Sequence, residues 1–396
     1  MKNKIGMLSL LLGVLLSGCQ ATEPQERDTV TPGPIFNPPP SNSSKKINVL
    51  NDTFEDKKIV LVGRSELISD SDVPSDLNAN IQWDFAAAFE RELDGQLLNF
   101  SPRNNELPIV MEDQEGNLWN WLGQAVDGPR RGAQLKHVNS GIGYWFVFSA
   151  MYPRIAIFGD PGAVERIVHE NEEDWGISTE SVARGAGFNA IPSINSPRFE
   201  SYEESANNGS TPSDEALIIG ISINDETKAY PHNILDYHEV VNDVVGGIPI
   251  SLTYCPLTGT AKVYERSPAA GDLFGVSGLL YNSNLMPFDA NSNSIWHQLE
   301  GRCVNGSRLG ETIPLIPHIE TTWGSWKKAY SETLILTTDT GFDRPYNQYP
   351  YGDYKTNNDF LLALLSYDDD RIARKERVFA IIVNGKSKVY PVDVFF

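Results

Sequence analysis

The fold is decided by the stretch from Ala229 to Arg302. It reads AYPHNILDYHEVVNDVVGGIPISLTYCPLTGTAKVYER at residues 229–266 and FGVSGLLYNSNLMPFDANSNSIWHQLEGR at residues 274–302. Short runs rich in Val, Ile, Thr, Tyr and Phe alternate here with Gly, Asn and Pro, which predicts short β-strands joined by turns. The chain is therefore expected to be α+β, predominantly antiparallel β with short helices.

The same residue patterns predict individual helices and strands in the later part of the chain. Residues 322–330 (TWGSWKKAY) predict a helix with Trp326 and Tyr330 on one face, because residues four apart are neighbours on a helix. Residues 233–242 predict a helical turn or a loop. Strands are predicted at residues 216–223, 248–254, 260–265, 274–281 and 333–337.

Candidate site residues gather around one cysteine. Cys255 stands where a predicted strand meets the turn Y-C-P-L-T-G-T, downstream of His238 and Glu239. Thiol, imidazole and carboxylate groups bind soft metals or perform nucleophilic chemistry. The catalytic candidates are thus Cys255 as nucleophile, His238 as base and Glu239 as the orienting carboxylate. A copper or zinc site is expected to use Cys255 and His238 together with His297 and Cys303.

Internal repeats predict two related halves. Residues 379–391 (FAIIVNGKSKVYP) align without gaps on residues 219–231 (IGISINDETKAYP), and both predict a β-hairpin. Residues 119–132 also resemble residues 296–310, with Ala125 at the position of Cys303. Residues 59–159 therefore look like a degenerate copy of part of the later region, and this copy contains no cysteine.

The first nineteen residues predict export. A basic start with Lys2 and Lys4 precedes the apolar run at residues 7–16, which is too short to span a bilayer and typical of a secretory signal. The run ends in Leu-Ser-Gly-Cys19, which is similar to a bacterial lipobox and implies cleavage before Cys19 and lipidation of its sulfur. Gln20 follows in place of Asp, which favours the outer membrane, facing the periplasm, if the host has two membranes.

The amino-acid composition limits the classes of partner that the protein is expected to have. Residues 19–46 are rich in Pro and Ser with little to bury, which predicts a disordered tether. The chain of 396 residues carries a formal charge of −20, and loss of the two signal lysines brings the mature chain near −22. Phosphate binding requires a basic surface, so no nucleic-acid partner is expected. The membrane, reached through lipid on Cys19, is the partner that the sequence predicts; protein partners are not specified.

Several motifs, in order, resemble the DUF3179 family, bacterial and archaeal proteins of unknown function. They are AYP…DYHEVVNDVVGG, TYCPLTGTA, FGVSGLLYNSNL and TTWGSWKKAYSETLIL, between about Ile191 and Pro391. The family's cysteine motif usually reads C-P-L-C; here its first cysteine is Cys255 and its second position is Thr258. The resemblance therefore does not carry over a two-thiol role. It also implies a C terminus that is truncated or atypical, because the chain stops just past the second Tyr-Pro.

The resulting domain map has five parts. Residues 1–18 are expected to form the lipoprotein signal peptide and residues 19–46 the tether. Residues 47–166 form the degenerate DUF3179-like repeat, residues 167–190 a linker, and residues 191–396 the DUF3179-like domain.

Three functions remain open at this level. The first is a lipid-anchored extracytoplasmic module that binds a soft metal ion or a small ligand through Cys255 and nearby His or Cys side chains. The second is a thiol-dependent enzyme with Cys255 as nucleophile and His238 as base. The third is a structural surface domain with a Cys255–Cys303 disulfide. His232, directly after the first Tyr-Pro, is expected to lie at the surface.

Overall fold

The structure is a computed structural model that describes residues 46–67, 81–160, 174–267 and 272–395. The predicted signal peptide, the lipidation site at Cys19 and almost all of the predicted tether lie outside these residues. The described residues belong to one compact unit that extends from Ser43 to Phe396. Among them, no helix combines the length and the apolar character needed to cross a membrane.

The described chain is rich in β-structure, most of it in short strands. The first strands are β1 (Asn48–Phe54), β2 (Lys57–Leu67), β3 (Ile81–Glu90), β4 (Glu92–Leu93), β5 (Gln96–Leu97), β6 (Phe100–Glu106), β7 (Ile109–Asp113), β8 (Leu118–Asn120), β9 (Ala125–Asp127), β10 (Ser140–Tyr144), β11 (Ala156–Ile157), β12 (Val182–Arg184) and β13 (Phe199–Ser201). The later strands are β14 (Leu217–Ile223), β15 (Glu226–Pro231), β16 (Val240–Val245), β17 (Ile248–Cys255), β18 (Thr260–Glu265), β19 (Phe274–Tyr281), β20 (Asn284–Asp289), β21 (Ile295–His297), β22 (Arg302–Asn305), β23 (Ile319–Thr322), β24 (Leu334–Leu336), β25 (Arg377–Val383) and β26 (Lys386–Tyr390).

Short helices connect some of these strands. They are α1 (Trp145–Met151), α2 (Tyr202–Asn208), α3 (His232–His238) and α4 (Trp323–Ala329), and 3-10 turns lie at Thr179–Ser181 and Val392–Phe395. Strand pairs are antiparallel except β15 with β24 and β11 with β26. The predicted class, α+β with predominantly antiparallel sheets and short helices, is confirmed.

The two predicted hairpins occupy equivalent places in two sheets. β14 and β15 are joined by a tight turn at Asn224 and Asp225, which both have positive φ, as a two-residue hairpin turn of this hand requires. That hairpin lies between β23 and β24 in the order β13–β24–β15–β14–β23. The second hairpin, β25–β26, lies between β10 and β11 in the order β10–β25–β26–β11. Helix α4 joins β23 to β24, and α1 joins β10 to β11.

Polar contacts also recur at corresponding positions. Asp243 on β16 accepts hydrogen bonds from Lys228 Nζ at 3.0 Å and Tyr230 Oη at 2.6 Å. Asp52 on β1 accepts from the Lys388 Nζ at 2.6 Å and the Tyr390 Oη at 2.7 Å. Strands β10 and β11, which precede the predicted linker, thus share a sheet with the hairpin β25–β26 from the C-terminal end. That the halves are related repeats, with domain boundaries at residues 166 and 190, stays a prediction.

One apolar cluster joins residues from both sides of the predicted linker. Trp121 stacks on Trp326 with ring centroids 5.8 Å apart and an interplanar angle of 11°. Both indoles are fully buried, and the Trp121 Nε1 donates to the Tyr330 hydroxyl at 3.0 Å. The cluster also includes Phe85 and Ile218. Because this cluster is continuous, the residues before and after the predicted linker share one hydrophobic core.

The predicted elements of the later region compare closely with those observed. The predicted strands match β14, β17, β18, β19 and β24, and the predicted helix matches α4. Residues 233–242 differ in part: α3 ends at His238, and β16 begins at Val240. The helix ends because Glu239 adopts a left-handed conformation, which turns the chain directly into the strand.

Candidate functional site

Glu239 is the residue that links α3 to the centre of the site. It caps the C terminus of α3 with φ 58° and ψ −28°, a conformation that is costly for a side chain other than Gly or Asn. Its backbone carbonyl accepts from Tyr254 N–H at 2.7 Å, and its Oε1 accepts from the Tyr351 hydroxyl at 3.2 Å. Strained backbone of this kind is characteristic of functional sites.

The carboxyl group of Glu239 is almost completely buried. Burial is the main cause that raises its pKa to about 7; the Tyr351 hydrogen bond lowers the pKa, and the nearby charge of Asp236 raises it. A pKa near 7 suits a group that accepts or donates protons at neutral pH.

Cys255 ends β17 next to this carboxyl. Its Sγ accepts from the Leu285 N–H at 3.3 Å and contacts the Ser283 carbonyl oxygen at 3.8 Å. Burial, and after it the charge of Glu239, raise the pKa of the thiol to about 11. Cys255 and Glu239 are thus electrostatic neighbours, and the resting form of Cys255 is a neutral thiol.

His238 makes its polar contacts with residues other than Cys255. Its Nδ1 lies 2.7 Å from the Pro192 carbonyl oxygen and its Nε2 lies 2.6 Å from the Tyr346 hydroxyl, so both ring nitrogens are engaged elsewhere. Burial lowers the pKa of His238, against the raising effect of the Pro192 contact. The role predicted for His238 as a base therefore has no support from its contacts and stays a prediction, whereas the charge of Glu239 does influence the thiol.

The remaining metal candidates lie on neighbouring strands. His297 ends β21, and Cys303 lies on β22, where it is paired with Trp296. Cys255 and Cys303 are both free and buried, so the disulfide of the structural alternative is not formed. In the described part of the chain, no group of three or more His, Cys, Asp or Glu side chains is arranged to hold a metal ion. The predicted set of Cys255, His238, His297 and Cys303 is not assembled.

The buried surroundings of Cys255 predict that its thiol reacts slowly. We expect Cys255 in the native protein to react with iodoacetamide at pH 8 at least about 100-fold more slowly than in urea, because only the thiolate is nucleophilic and a pKa near 11 leaves little of it. Peptide mass spectrometry after timed quenching measures the rate for each cysteine separately. Alkylation of Cys255 at the rate of the unfolded chain contradicts this expectation and marks an activated nucleophile.

Buried charged groups continue from Glu239 along α3 to a cleft. Asp236 Oδ2 lies 3.3 Å from the Lys355 Nζ, and Glu320 is ion-paired with Arg377. His232 Nε2 lies 3.5 Å from Glu320 Oε1, beyond the usual hydrogen-bond distance. Burial lowers the pKa of His232 well below its ordinary value, and the charges of Lys355 and Arg377 lower it further, so the imidazole is neutral at pH 7.

The cleft has a volume of about 880 Å³ and runs beside α3. Three of its lining residues have a buried polar atom without a hydrogen-bond partner in the protein: His232 Nε2, Asp236 Oδ1 and Thr337 Oγ1. Each of these three atoms is closed off from solvent, so none of them is open to the cleft, and the His232 Nε2 faces Glu320 instead. A concave site of this size with a few convergent polar groups is typical of ligand binding.

Sequence reasoning missed most of this cleft. The expectation that His232 lies at the surface is wrong, since the residue is 7% exposed. Asp236 belongs to the same D-Y-H-E run as Glu239, and helical spacing of three was a signal that its carboxyl and that of Glu239 lie on one side. Thr337, Lys355 and Arg377 carry no local signal, because only the tertiary fold brings them to α3.

Comparisons with known proteins place the chain in one family. A family model described as "Protein of unknown function (DUF3179)" matches residues 188–395, which include α3, Glu239, Cys255 and every residue that lines the cleft. Searches of curated proteins and of solved structures find no match. The matched region covers more than half of the chain and contains the motifs around Cys255. The chain therefore belongs to the DUF3179 family of proteins of unknown function.

Proposed function

We propose that this protein binds a small ligand in the cleft beside α3. The observation that carries the proposal is the cleft itself, a concavity of about 880 Å³ whose wall combines polar side chains such as Asn208 and Ser210 with apolar ones such as Leu217 and Leu336. A concave site of this size with a mixed wall is typical of small-ligand binding.

The proposal also includes the cellular location of the protein. We place the protein in the bacterial cell envelope, anchored by lipid on Cys19, with the binding unit extended from the membrane on the tether of residues 19–46. In a host with two membranes, the sequence after Cys19 favours the outer membrane and the periplasmic side. A capture protein held at a membrane surface fits an acidic, soluble binding unit.

A small ligand is preferred to a soft metal ion. Copper or zinc sites use several Cys or His ligands around one point. Cys255 and Cys303 belong to one buried cluster, but in the described residues no group of three or more His, Cys, Asp or Glu side chains is arranged to hold a metal ion. Metal content of the purified protein tests this choice. Stoichiometric copper or zinc that the Cys255→Ser variant loses would contradict the preference and favour the metal site.

A second candidate function is a thiol-dependent enzyme, favoured by the proximity of Glu239 to Cys255. In this version Glu239, with its pKa near 7, replaces His238 as the group that accepts the thiol proton. Glu239 and Cys255 do not line the cleft, so this candidate stands apart from the proposed binding site. Fast alkylation of native Cys255 supports this candidate, and slow alkylation that no cleft ligand accelerates removes it.

Blocking the cleft tests the proposed function without knowledge of the ligand. We expect Ala216→Trp, on the half-buried cleft wall, to weaken small-molecule binding at least about tenfold, because an indole occupies the space that the ligand needs. Ligand-observed NMR with a mixture of neutral sugars, amines and carboxylic acids measures binding. Ala373→Trp, at an exposed position outside the cleft, is the matched control. Equal binding by both variants contradicts the proposal.

A further inference from the structure

We propose that residues 338–366 form a lid over Cys255 and Glu239, and that this lid opens while the rest of the protein stays folded. The segment lies between β24 and β25. The lid goes beyond the proposed function, because the pair of residues that it covers does not line the cleft. It controls access to a second site, centred on the thiol of Cys255.

The lid is a long connection without regular secondary structure. No helix or strand occurs between Leu336, where β24 ends, and Arg377, where β25 begins. Connections of more than about 12–15 residues that lack helices and strands are uncommon in compact domains, and many of them are lids or binding loops. The length of this segment therefore favours a functional role over simple connection of two strands.

The backbone of the lid is not bonded to the backbone of the surrounding protein. Every backbone–backbone hydrogen bond described for residues 338–366 joins two residues of this segment, such as the one from Tyr354 N–H to the Tyr351 carbonyl oxygen at 3.2 Å. Just before the lid, Thr337 N–H donates to the Arg198 carbonyl oxygen at 2.9 Å. Segments outside the hydrogen-bonded sheets open at a lower free energy than core strands do.

Side chains, in contrast, hold the lid closed at several points. Three lid tyrosines place their hydroxyls against the protein beneath, with Tyr346 Oη 2.6 Å from His238 Nε2, Tyr349 Oη 3.3 Å from the Pro256 carbonyl oxygen and Tyr351 Oη 3.2 Å from Glu239 Oε1. Side chains beneath the lid also donate to lid carbonyl oxygens, those of Asn233, Tyr237 and Ser283. Water replaces such partners when the lid opens, so the net cost of breaking any one bond is small.

The lid closes off both reactive groups. Cys255 and Tyr354 belong to one buried cluster, and Tyr349, Tyr351 and Ala363 pack against that cluster. The carboxyl group of Glu239 is bonded to the lid directly, through the Tyr351 hydroxyl. Lids of this kind exclude water from reactive groups until they open.

Opening changes the chemistry of the thiol as well as access to it. Burial is the main cause that raises the pKa of Cys255 to about 11 and that of Glu239 to about 7. Water that enters beneath an open lid reduces this effect, so a larger fraction of Cys255 becomes thiolate. The closed lid thus keeps the thiol inert, and the open lid makes it a nucleophile.

The test loosens the lid without changing the groups beneath it. The Tyr346→Phe/Tyr349→Phe double variant of the full chain, purified in detergent, loses two hydroxyl contacts and keeps the bond between Tyr351 and Glu239. We expect iodoacetamide at pH 8 to alkylate its Cys255 at least about fivefold faster than Cys255 of the wild type, since two hydrogen bonds no longer hold the lid closed. Peptide mass spectrometry after timed quenching gives the rate for each cysteine.

Cys303 is the reference within the same molecule. Its thiol contacts the Asn305 carbonyl oxygen, outside the lid, so its rate is expected to stay at the wild-type value. Global unfolding exposes both cysteines, and the ratio of their rates therefore separates lid opening from unfolding. Tyr264→Phe is the matched control, because this buried hydroxyl donates to the Gln298 carbonyl oxygen at 2.8 Å, also outside the lid. This variant is expected to keep the wild-type ratio.

A rise in the Cys255 rate alone, in the double variant and not in Tyr264→Phe, supports the lid. An unchanged Cys255 rate, or an equal rise for both cysteines, overturns it. If the circular dichroism spectrum shows that the double variant does not fold, Tyr349→Phe replaces it, with an expected rise of at least about twofold and the same criteria. None of these outcomes alters the cleft proposal, which the Ala216→Trp variant tests by binding.

Discussion

The Glu239→Gln variant is expected to be more stable than the wild type by about 3 kcal/mol at pH 8 and equally stable at pH 4. Burial holds the pKa of Glu239 near 7 in the folded protein, against an ordinary value of 4.5. Gln has nearly the same shape, keeps an oxygen that accepts from the Tyr351 hydroxyl and never ionises. The variant therefore removes the cost of a buried charge without changing the packing.

The direction of the pH dependence follows from proton binding. Below pH 4.5, Glu239 is protonated in both the folded and the unfolded chain, and it contributes no difference. Between about pH 4.5 and pH 7 the unfolded chain loses the proton while the folded chain keeps it, so the folded state binds more protons. The free energy of unfolding then falls as the pH rises, and it levels off once the folded protein ionises as well.

Urea denaturation at pH 4, 6 and 8 measures the effect. The difference between variant and wild type isolates Glu239, because the other titrating groups are common to both proteins. Glu332→Gln, at an exposed position, is the matched control and is expected to change stability by less than about 0.5 kcal/mol at each pH. A Glu239→Gln variant that is no more stable at pH 8 than at pH 4, relative to wild type, contradicts the buried-carboxyl environment.

A stabilising Glu239→Gln substitution would also bear on function. A carboxyl group that weakens the fold above pH 7 and is held in a strained backbone conformation costs stability, and the one hydrogen bond described for it, from Tyr351, is also available to Gln. Groups that reduce stability in this way are characteristic of active and binding sites. The stability measurement thus complements the binding experiments without requiring a ligand.

The sequence predicted the local elements better than their arrangement. The hairpins, β17, β18, β19 and α4 follow from alternating apolar residues and Asn-centred turns, which are local properties. The placement of β25–β26 between β10 and β11 does not, because it depends on pairing between strands more than two hundred residues apart. Alignment of residues 379–391 on residues 219–231 identified the hairpin but not its partner strands.

The sequence likewise predicted some residues of the candidate site but not their arrangement. Glu239 and Cys255 were identified from residue type and a short motif, and the structure makes them electrostatic neighbours. The assignment of His238 as base stays a prediction: its two ring nitrogens contact Pro192 and Tyr346, and adjacency to Glu239 in the sequence did not reveal these contacts. The cleft was not foreseen, since its wall combines α2, α3, β24 and the loop that carries Lys355.

The Trp326→Ala variant is expected to lose about 3–5 kcal/mol of stability. Trp326 is fully buried, stacks on Trp121, and donates from Nε1 to the Thr333 Oγ1 at 2.9 Å. Its ring packs directly over Gly220, where an added Cβ would lie only 2.2 Å from the indole. Truncation removes these contacts and leaves a cavity lined by rigid strand and aromatic groups that cannot close on it.

Urea denaturation followed by far-ultraviolet circular dichroism measures this loss, because the fluorescence of the variant changes with the removed indole. Leu364→Ala, at a position that is 77% exposed, is the control and is expected to change stability by less than about 0.5 kcal/mol. A loss of under 1 kcal/mol in Trp326→Ala contradicts the packing described for this cluster.

The shape of the Trp326→Ala transition tests how the two sides of the predicted linker are joined. Trp326 lies in the later region, yet it packs on Trp121 in the same cluster as Phe85. The sheet of β10 and β11 is completed by β25 and β26, so neither side has all of its own strands. Because core and sheet are both shared, we expect one cooperative transition that shifts as a whole to lower urea concentration. Two separate unfolding transitions, of which only the second shifts to lower urea concentration, would contradict this expectation. They would mean that residues 47–166 fold independently of the cluster around Trp326. They would also mean that the pairing of β25–β26 with β10 and β11 contributes little to stability.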